Sequence, residues 1–315
     1  MFFCIECRGN FNVAQVCRCL GVKLDKAHLQ LNTLEHIYLI IDPIYSPGTD
    51  CMKLRITTYN IHKGVSSFGA RPRIHALKQA INAMQSDVLF LQEVQGRHDL
   101  HALKHATDWP ELSQQDFLAG DSHQCAYGMN AIYDHGHHGN ALLSCHPILS
   151  SRNQNISDHK YESRGILHCV VQAPEAEVHC FVIHLGLFAG SRKRQTDALI
   201  EAVSESAPTD APLIIAGDFN DWGNHLSEEL RARLGVTEVF DENLSRRGFG
   251  TYLRQLSGRG TKIQPARTFP AAMPFLQLDR IYVRGFKVES AEVLHGAMWA
   301  KLSDHAPIVA NLALK

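Results

Sequence analysis

Hydrophobic positions between residues 53 and 315 follow two periods, one typical of strands and one typical of helices. Leu54–Asn60 alternates, with Leu54, Ile56 and Thr58 on one side, which predicts a half-buried strand. Further strands are predicted at Val88–Gln92, Asn140–Ser144, Gly165–Gln172, Val178–Leu185, Leu213–Ala216, Ile281–Val283 and Ile308–Leu314. The two strands between 165 and 185 follow each other without a helix, which favours antiparallel pairing in part of a sheet.

Helical periods lie between these strands. Arg71-Pro72 opens an amphipathic helix with an apolar face of Ile74, Leu77, Ile81 and Met84. A second helix is predicted over Arg192–Ser204, with Ser191 as its N-cap. A third is predicted over Leu226–Leu234. Strands mixed with helices in this order predict an α/β fold in which two sheets form a sandwich covered by helices.

The first 51 residues show no sustained period and contain five of the nine cysteines. We expect a weakly ordered extension at 1–51 and one catalytic domain at 52–315, with Met52 as an alternative start of translation. The intact mass of the natively expressed protein tests that start, and a mass that includes Met1 would contradict it. A small zinc site is an alternative reading of four of these cysteines, Cys4, Cys7, Cys17 and Cys19.

Charge and composition narrow the function classes. The 31 Lys and Arg balance 32 Asp and Glu, so the net charge is -1 and no strongly basic nucleic-acid coat is present. No apolar run is long enough for a transmembrane segment, and no secretory signal is recognised, so we expect a cytoplasmic protein. The cysteines outside the first segment are expected to be reduced core thiols: Cys125, Cys145, Cys169 and Cys180.

Polar side chains stand where six of the apolar runs begin or end. The segments are Thr58-Tyr59-Asn60, Leu91-Gln92-Glu93, Val182-Ile183-His184, Gly217-Asp218-Phe219-Asn220, Leu278-Asp279-Arg280 and Ser303-Asp304-His305. A single acid at a strand end is usually a turn or a cap. Six such ends on one rim of a sandwich instead predict a polar site on a rigid apolar scaffold.

The residue types on this rim suit one kind of chemistry. Carboxylate and amide oxygens are hard ligands that favour Mg²⁺ or Mn²⁺, and no pair of cysteines indicates a closed zinc site there. A divalent cation beside Asp and His residues fits hydrolysis of a phosphoester, in which a side chain removes a proton from the attacking water.

The same segments resemble the endonuclease/exonuclease/phosphatase superfamily. TYNIHKG at 58–64, LQEV at 91–94, NALLS at 140–144, GDFN at 217–220, LDRIYV at 278–283 and SDHAP at 303–307 occur in the order that the family shows. The resemblance covers residues 53 to 314 and none of the first 51, and bacterial members with an NIHKG start and an HHGNA segment are the most similar. It implies a deoxyribonuclease I-like, four-layer α/β/β/α sandwich with two mixed, largely antiparallel sheets.

The resemblance also implies roles for the rim residues. Glu93 is implied as the principal metal ligand, with Asn60 beside it and Asp304 as a further ligand. Asp218 is implied to orient or deprotonate the attacking water. Asn220 is implied to hold the scissile phosphate, and His184 to contact a phosphate oxygen. Asp279 is implied to pair with His305. Whether Asp218 or His305 is the base stays open.

Substrate contacts are predicted around this set. His138 or Asn140 takes a place near the phosphate where characterised nucleases of the family carry Tyr or Glu; a Gly-rich loop of solvated histidines is the alternative. Lys63, Arg164 and Arg194 are expected to supply positive charge near the entrance of the predicted polar site. Trp222 either packs or stacks on a base or sugar.

We therefore expect a Mg²⁺-dependent (or Mn²⁺-dependent) hydrolase, and as the first hypothesis a phosphodiesterase or endonuclease acting on nucleic acid. A phospholipid- or inositol-phosphate-directed hydrolase of the same fold is the second hypothesis and would fit the neutral charge better. A catalytically inactive phosphate-binding protein is the third. No protein partner is indicated.

Overall fold

The apolar runs of residues 53–315 become strands of two sheets. The computed structural model describes residues 27–31, 37–41, 52–66, 71–160, 162–244 and 266–315. The chain divides into two compact units, Met1–Met52 and Lys53–Lys315. In the first unit, strands β1 (Ala27–Leu31) and β2 (Ile37–Ile41) pair antiparallel.

Several expectations for the first segment stay predictions. The four cysteines of the alternative zinc site lie outside the described residues. The expected extension at 1–51 and the start at Met52 likewise stay predictions.

The second unit contains two six-stranded sheets in its described part. In the first sheet the order is β13-β14-β3-β4-β6-β5, with β3 Lys53–Asn60, β4 Val88–His98, β5 Gln124–Tyr133, β6 Gly136–Ser144, β13 Phe286–Val293 and β14 Ile308–Leu314. In the second sheet the order is β11-β12-β10-β9-β8-β7, with β7 Ile148–Asn155, β8 Gly165–Gln172, β9 Glu177–His184, β10 Leu213–Asp218, β11 Thr237–Glu238 and β12 Asp279–Arg284. Each sheet has one parallel pair, β3 with β4 and β9 with β10, and its other described pairs are antiparallel. The predicted α/β class with two mixed, largely antiparallel sheets is confirmed.

Helices pack against the outer face of each sheet. The described helices are α1 Ile74–Met84, α2 Asp99–Lys104, α3 Gln114–Ala119, α4 Ala189–Ser206, α5 Ser227–Leu234, α6 Val239–Leu244 and α7 Trp299–Leu302. One apolar core joins α1, α3 and α7 to the first sheet, and another joins α4 and α5 to the second. Two sheets with a helical layer outside each give the α/β/β/α sandwich. No helix in the described ranges has the length and apolar character needed to span a bilayer.

Helix α1 is built as its period predicts. Ile74, Leu77, Ile81 and Met84 are all buried on its inner face. It ends at Gln85, whose left-handed backbone conformation (φ 49°) is typical of a helix C-terminus.

The start of helix α4 corrects a prediction. The helix begins at Ala189, so Ser191 lies inside its first turn and is not the N-cap. The Ser191 hydroxyl is buried and donates a hydrogen bond to Asp158 Oδ2 (2.7 Å). The Ser191 hydroxyl is therefore engaged in a tertiary contact, and the N-cap position is occupied by Phe188, which makes no side-chain capping bond.

Candidate active site

Strand register places three of the predicted residues in one row across the second sheet. Asp218 ends β10 and is paired with His184 of the parallel neighbour β9. On its other side Asp218 is paired with Asp279, the first residue of the antiparallel neighbour β12. Because cross-strand partners lie side by side, the pairing alone brings an imidazole and two carboxylates together.

The first sheet adds its own groups to the same carboxylate. Asn60, at the end of β3, donates from Nδ2 to Asp218 Oδ2 (3.2 Å). His184 Nε2 and His305 Nε2 lie 3.5 Å and 3.7 Å from that same oxygen. Asp218 is only 2% exposed, so one buried oxygen is the point at which side chains of both sheets meet.

Asp279 and His305 form a buried dyad. His305 Nδ1 lies 2.8 Å from Asp279 Oδ2, and Thr268 Oγ1 donates to the same carboxylate oxygen. The ring of His305 also packs against that of Phe269, with centroids 5.0 Å apart. This arrangement fixes the imidazole and directs its Nε2 towards Asp218.

Burial and neighbouring charges set the protonation states of this cluster. Burial raises the pKa of Asp218 to about 6, against the opposing effect of His305. For His305, burial lowers the pKa, but the carboxylates of Asp279 and Asp218 outweigh it and raise the pKa to about 10. Burial, with the positive charge of Arg164, holds the pKa of His184 well below its usual range. At neutral pH, His305 is therefore a cation between two carboxylates, while His184 is neutral.

Glu93 lies in strand β4, immediately after Gln92, the last residue of β4 that pairs with β3. Its backbone is in the left-handed region (φ 55°), and its side chain is 18% exposed. Its Oε2 is buried and has no hydrogen-bond partner among the described residues, although the Lys63 ammonium lies 3.5 Å away in an ion pair. A buried carboxylate oxygen that faces a cation without a hydrogen bond is suited to hold a metal ion.

The other two predicted metal ligands already have protein partners. Asn60 Oδ1 accepts a hydrogen bond from the His62 backbone (3.1 Å). Asp304 Oδ2 lies 3.2 Å from His62 Nδ1, and hydrogen bonding to this histidine keeps the pKa of Asp304 low despite burial. Both oxygens retain a second lone pair for a cation.

A second group of ligand atoms competes with Glu93 as the place for a metal. One atom each from Asp218, Asp279 and His305 lies within 4.8 Å of the others. In this group His305 is hydrogen-bonded to Asp279 and lies 3.7 Å from Asp218 Oδ2, and Asp279 is 1% exposed. Both groups contain a buried oxygen without a hydrogen-bond partner, Glu93 Oε2 and Asp279 Oδ1. The Glu93 side chain is the more accessible of the two (18% exposed), which makes Glu93 the better candidate to hold a cation.

Asn220 completes the row beyond Asp218. Its backbone N–H donates to Asp218 Oδ1 (2.9 Å), and its Nδ2 donates to the Leu185 carbonyl (2.9 Å). Four residues of the site have positive φ angles, which is uncommon for residues other than glycine: His62, Lys63, Glu93 and Asn220. Such conformations cluster at functional sites, where the surrounding structure imposes them.

The predicted substrate-binding residues divide into two groups. The charges of Lys63, Glu93 and Arg164 act on His138, whose pKa burial lowers to about 4, so His138 lies among the site residues. Arg194 instead makes a bidentate ion pair with Asp158 on the surface and is not brought into this group.

Strand β6 accounts for the remaining contacts. The segment 136–140 is part of this strand, so the alternative of a Gly-rich loop is wrong. Asn140 is buried, and its Nδ2 bridges the sheets by donating to the Gly165 and Val182 carbonyls (3.0 and 3.3 Å). Trp222 is 52% exposed, and the guanidinium of Arg192 lies 5.1 Å from its ring centroid.

Sequence reasoning missed three residues that organise the site. His62 pairs with Asp304, and Thr268 holds Asp279. Arg280 is 1% exposed and donates to the Gln277, Asp279 and Asp221 carbonyls, so it ties together the segments that carry Asp218 and Asp279. The signal for Arg280 was its place inside an apolar strand, where an arginine must be fully paired.

Comparison with known proteins agrees with this geometry. The sequence model of the Endonuclease/Exonuclease/phosphatase family matches residues 57–305. The chain is 38% identical over 269 residues to the Escherichia coli (strain K12) protein "Uncharacterized protein YbhP", an alignment that covers 84% of this chain and 98% of that one. The chain therefore belongs to the Endonuclease/Exonuclease/phosphatase family, whose members are metal-dependent phosphoesterases.

Solved structures share the fold at low sequence identity. An endonuclease/exonuclease/phosphatase from Bacteroides vulgatus aligns with a TM-score of 0.62 at 15% identity, covering 84% of this chain and 99% of that one. The human Nocturnin catalytic domain with bound sulfate aligns with a TM-score of 0.60 at 21% identity, covering 84% and 94%. These likenesses confirm the predicted fold.

Proposed function

We propose that this chain is a divalent-metal-dependent phosphodiesterase that cleaves nucleic acid by attack of water on phosphorus. The observation that carries the proposal is the convergence of His184, Asn60 and the His305–Asp279 dyad on one buried oxygen of Asp218. An aspartate held in this way is placed to accept a proton, and the groups around it are placed to contact an anion.

Asp218 is the proposed general base. His305 is already protonated at neutral pH, because its pKa is about 10, so it has no free nitrogen with which to take a proton. The pKa of Asp218, about 6, lies near neutrality and favours proton transfer from water. The charge of His305 then stabilises the negative charge that develops on the phosphate oxygens.

His184 and Asn220 are proposed to bind the scissile phosphate. His184 is neutral, so its ring N–H donates a hydrogen bond without adding charge. Asn220 is held rigidly by its bonds to Asp218 and to the Leu185 carbonyl. Rigid donors cost little reorganisation when the substrate reacts.

Glu93, with Asn60 and Asp304 beside it, is proposed to hold the divalent cation. Such an ion, when bound, neutralises charge on a phosphoryl oxygen. Their oxygen-only donor set fits Mg²⁺ or Mn²⁺. Lys63, now paired with Glu93, is proposed to turn towards the substrate when the cation takes its place.

A phospholipid- or inositol-phosphate-directed hydrolase is the second candidate. Leu187 (57% exposed) and Phe188 (67% exposed) follow His184 closely in the chain and present apolar surface to solvent. The net charge of -1 also suits a substrate with fewer phosphates than nucleic acid.

Nicking of supercoiled plasmid by the purified full chain tests the first candidate. We expect nicking with Mg²⁺ or Mn²⁺, none with EDTA, and a loss of at least about 10²-fold in Asp218→Ala. Asp99→Ala is the matched control, because it removes an exposed aspartate that pairs only locally with Arg97.

The outcomes separate the candidates. Metal-dependent nicking that Asp99→Ala retains and Asp218→Ala loses supports a nuclease. A folded, metal-binding protein that does not nick plasmid contradicts it, and release of phosphate or headgroup from phospholipid and inositol phosphate would then support the second candidate. No turnover of any of these, with tight binding unchanged in Asp218→Ala, would indicate a binding protein.

A further inference from the structure

Three metal-ligating side chains meet at the end of the first sheet opposite to Glu93. One ligand atom each from Asp87, Cys145 and His146 lies within 4.8 Å of the other two. Asp87 immediately precedes β4, and Glu93 lies six residues beyond Asp87 within that strand, which corresponds to at most about 20 Å at 3.3 Å per residue. The cluster is therefore separate from the candidate active site.

Strand register creates this cluster. Val88 of β4 is paired with Ser144 of β6, so the residues just beyond the pair, Asp87 and Cys145, are also neighbours. The Cys145 backbone N–H donates to the Asp87 carbonyl (2.9 Å), and Cys145 Sγ lies 3.8 Å from Asp87 Oδ1. The Arg55 backbone N–H donates to the other oxygen, Asp87 Oδ2 (2.7 Å), and this fixes the orientation of the carboxylate.

The spacing is close to that of a transition-metal site. Tetrahedral Zn²⁺ with S, N and O ligands requires ligand atoms about 3.4 to 3.6 Å apart, from Zn–S and Zn–N/O bonds of about 2.3 and 2.1 Å. The sulfur–oxygen distance of 3.8 Å therefore needs little adjustment. Asp87 and His146 are 5% and 4% exposed, so their rotamers are restricted by packing, while Cys145 is half-buried and leaves a path for an ion.

We propose that Asp87, Cys145 and His146 form a second metal site, selective for Zn²⁺ or a similar thiolate-binding ion. A thiolate and an imidazole favour such ions, whereas the oxygen ligands of the active site favour Mg²⁺ or Mn²⁺. Water supplies the fourth ligand. His123, whose ring nitrogens are bonded to Ser122 Oγ (2.9 Å) and to the Ser86 carbonyl (3.0 Å), is not part of this ligand set. The site joins the start of β4 to the end of β6.

Protection of the thiol tests the site without any substitution. The full chain is treated with iodoacetamide in excess Mg²⁺, with and without micromolar Zn²⁺, and alkylation of each cysteine is followed by peptide mass spectrometry. A zinc-bound thiolate is shielded, so we expect Zn²⁺ to slow alkylation of Cys145 by at least about tenfold. Equal rates with and without Zn²⁺ would overturn the proposal.

Cys125 is the internal control in the same molecule. It is also half-buried, and its Sγ lies 3.1 Å from a carboxylate oxygen of Asp116, but within the described ranges it belongs to no group of three metal ligands. We expect its rate of alkylation to be unchanged by Zn²⁺. Equal slowing of both cysteines would mean general shielding by the ion and would also overturn the proposal.

Metal content of variants gives an independent measurement. After Zn²⁺ loading and removal of excess metal, Cys145→Ser and His146→Gln should each lose one bound Zn²⁺ relative to the unmodified chain. Cys125→Ser should keep it. Four further cysteines near the N-terminus, Cys4, Cys7, Cys17 and Cys19, are the same in every protein compared, so any Zn²⁺ that they hold cancels. Unchanged Zn²⁺ in Cys145→Ser and His146→Gln would contradict the site.

The two proposals fail separately. Loss of the Zn²⁺ site leaves Asp218 and Glu93 in place, so metal-dependent hydrolysis by Cys145→Ser is expected to persist with Mg²⁺. A chain that binds Zn²⁺ through Cys145 but hydrolyses no phosphoester would leave the second site standing and refute the proposed activity.

Discussion

The contacts of His305 with two carboxylates determine its orientation and its charge. His305 is held between Asp279 and Asp218, with 2.8 Å and 3.7 Å to their carboxylate oxygens. The shorter contact, to Asp279, orients the imidazole ring. The longer one, to Asp218, is not a hydrogen bond and leaves the Asp218 carboxylate able to bind another donor.

Replacing Asp279 with Asn should reduce kcat by about 10² to 10⁴-fold. The amide cannot balance the charge of His305, so the imidazole loses both its orientation and its raised pKa. The measurement is kcat on the substrate found in the plasmid or phosphoester assays.

Asp99→Asn is the control for the loss of a carboxylate, since that residue is exposed and ion-paired only to Arg97. If kcat of Asp279→Asn is within threefold of that of the control, the Asp279–His305 dyad does not contribute to catalysis. Circular dichroism of both variants ensures that folded proteins are compared.

At the scale of elements, the contact between β9 and β10 depends on one glycine. Gly217 has φ 154°, and a Cβ added to it would lie 2.0 Å from the Ile183 carbonyl oxygen. Its neighbours in the two strands, Asp218 and His184, are the first pair of the site.

We expect Gly217→Ala to lower the free energy of unfolding by about 2 to 4 kcal/mol and to reduce activity. The added methyl group separates β9 from β10 and displaces His184 from Asp218. Urea unfolding monitored by tryptophan fluorescence gives the stability change.

Gly190→Ala is the matched control. This glycine lies in helix α4, and the nearest atom to an added Cβ is 3.6 Å away at the end of the Arg194 side chain. Stability should be unchanged or slightly higher, because alanine favours helix. Equal effects of the two substitutions would contradict the argument from strand contact.

Strand β11 carries a buried acid that makes stability depend on pH. Glu238 is 2% exposed; its Oε2 accepts from the Phe240 backbone (2.8 Å), and its Oε1 has no hydrogen-bond partner among the described residues. Burial raises the pKa of Glu238 from 4.5 to about 7, against the opposing charge of Arg280. The folded state therefore holds this proton more tightly than the unfolded state.

Because the folded pKa is the higher one, the stability that this proton provides is complete below pH 4.5 and is lost as the pH rises through 7. Between pH 5 and 8 the loss is up to about 3 kcal/mol, at about 1.36 kcal/mol per pKa unit. Glu238→Gln removes this titration and keeps the bond to Phe240. We expect its stability relative to the wild type to rise between pH 5 and 8 in urea unfolding, and a constant difference would contradict the prediction.

The inner strands were predictable from sequence because they are apolar on both faces. β10, for example, is buried along its whole length and begins with the unbroken apolar run Leu213–Ala216. In β12 only the apolar centre Ile281–Val283 could be detected, because charged residues stand at both of its ends. β7 is an edge strand with mostly exposed side chains, and β5 alternates irregularly, so neither has a hydrophobic period to detect.

The sequence allowed those site residues to be predicted that stand at the ends of strands. Polar residues that end apolar runs mark His184, Asp218 and Asp279, and cross-strand register then brings them together. The partners that hold them come from distant segments, as Thr268 does for Asp279, and no local pattern records a contact of that kind.

For the whole molecule, the neutral charge limits how strongly a polyanion is held. Besides the buried His305, the described cations whose charges act on His138 and His184 are Lys63 and Arg164. Each phosphate contact contributes about −0.9 to the slope of a plot of the logarithm of the DNA-binding constant against the logarithm of the salt concentration. If Lys63 and Arg164 each contact one phosphate, we expect a slope of about −1.8.

Arg164→Gln should make that slope shallower by about 0.9. Arg194→Gln is the control, because Arg194 is engaged with Asp158 and should leave the slope unchanged. Fluorescence anisotropy of a labelled oligonucleotide with Asp218→Ala protein measures both without cleavage. A slope as steep as −5 would mean that other basic residues hold the strand.

The position of β14 has a consequence for protein synthesis. This strand is inserted between β13 and β3, and it pairs Ile308 with Thr58 and Leu312 with Leu54. A ribosome that has made residues 53 to 300 has therefore left one side of β3 without its partner, and the segment that delivers His305 has yet to appear. The nascent chain carries Asp218 and Glu93 but not the imidazole between Asp218 and Asp279. The proposed hydrolysis requires that residues 308–314 have emerged and closed the sheet, so we expect chains that end before Ile308 to be inactive.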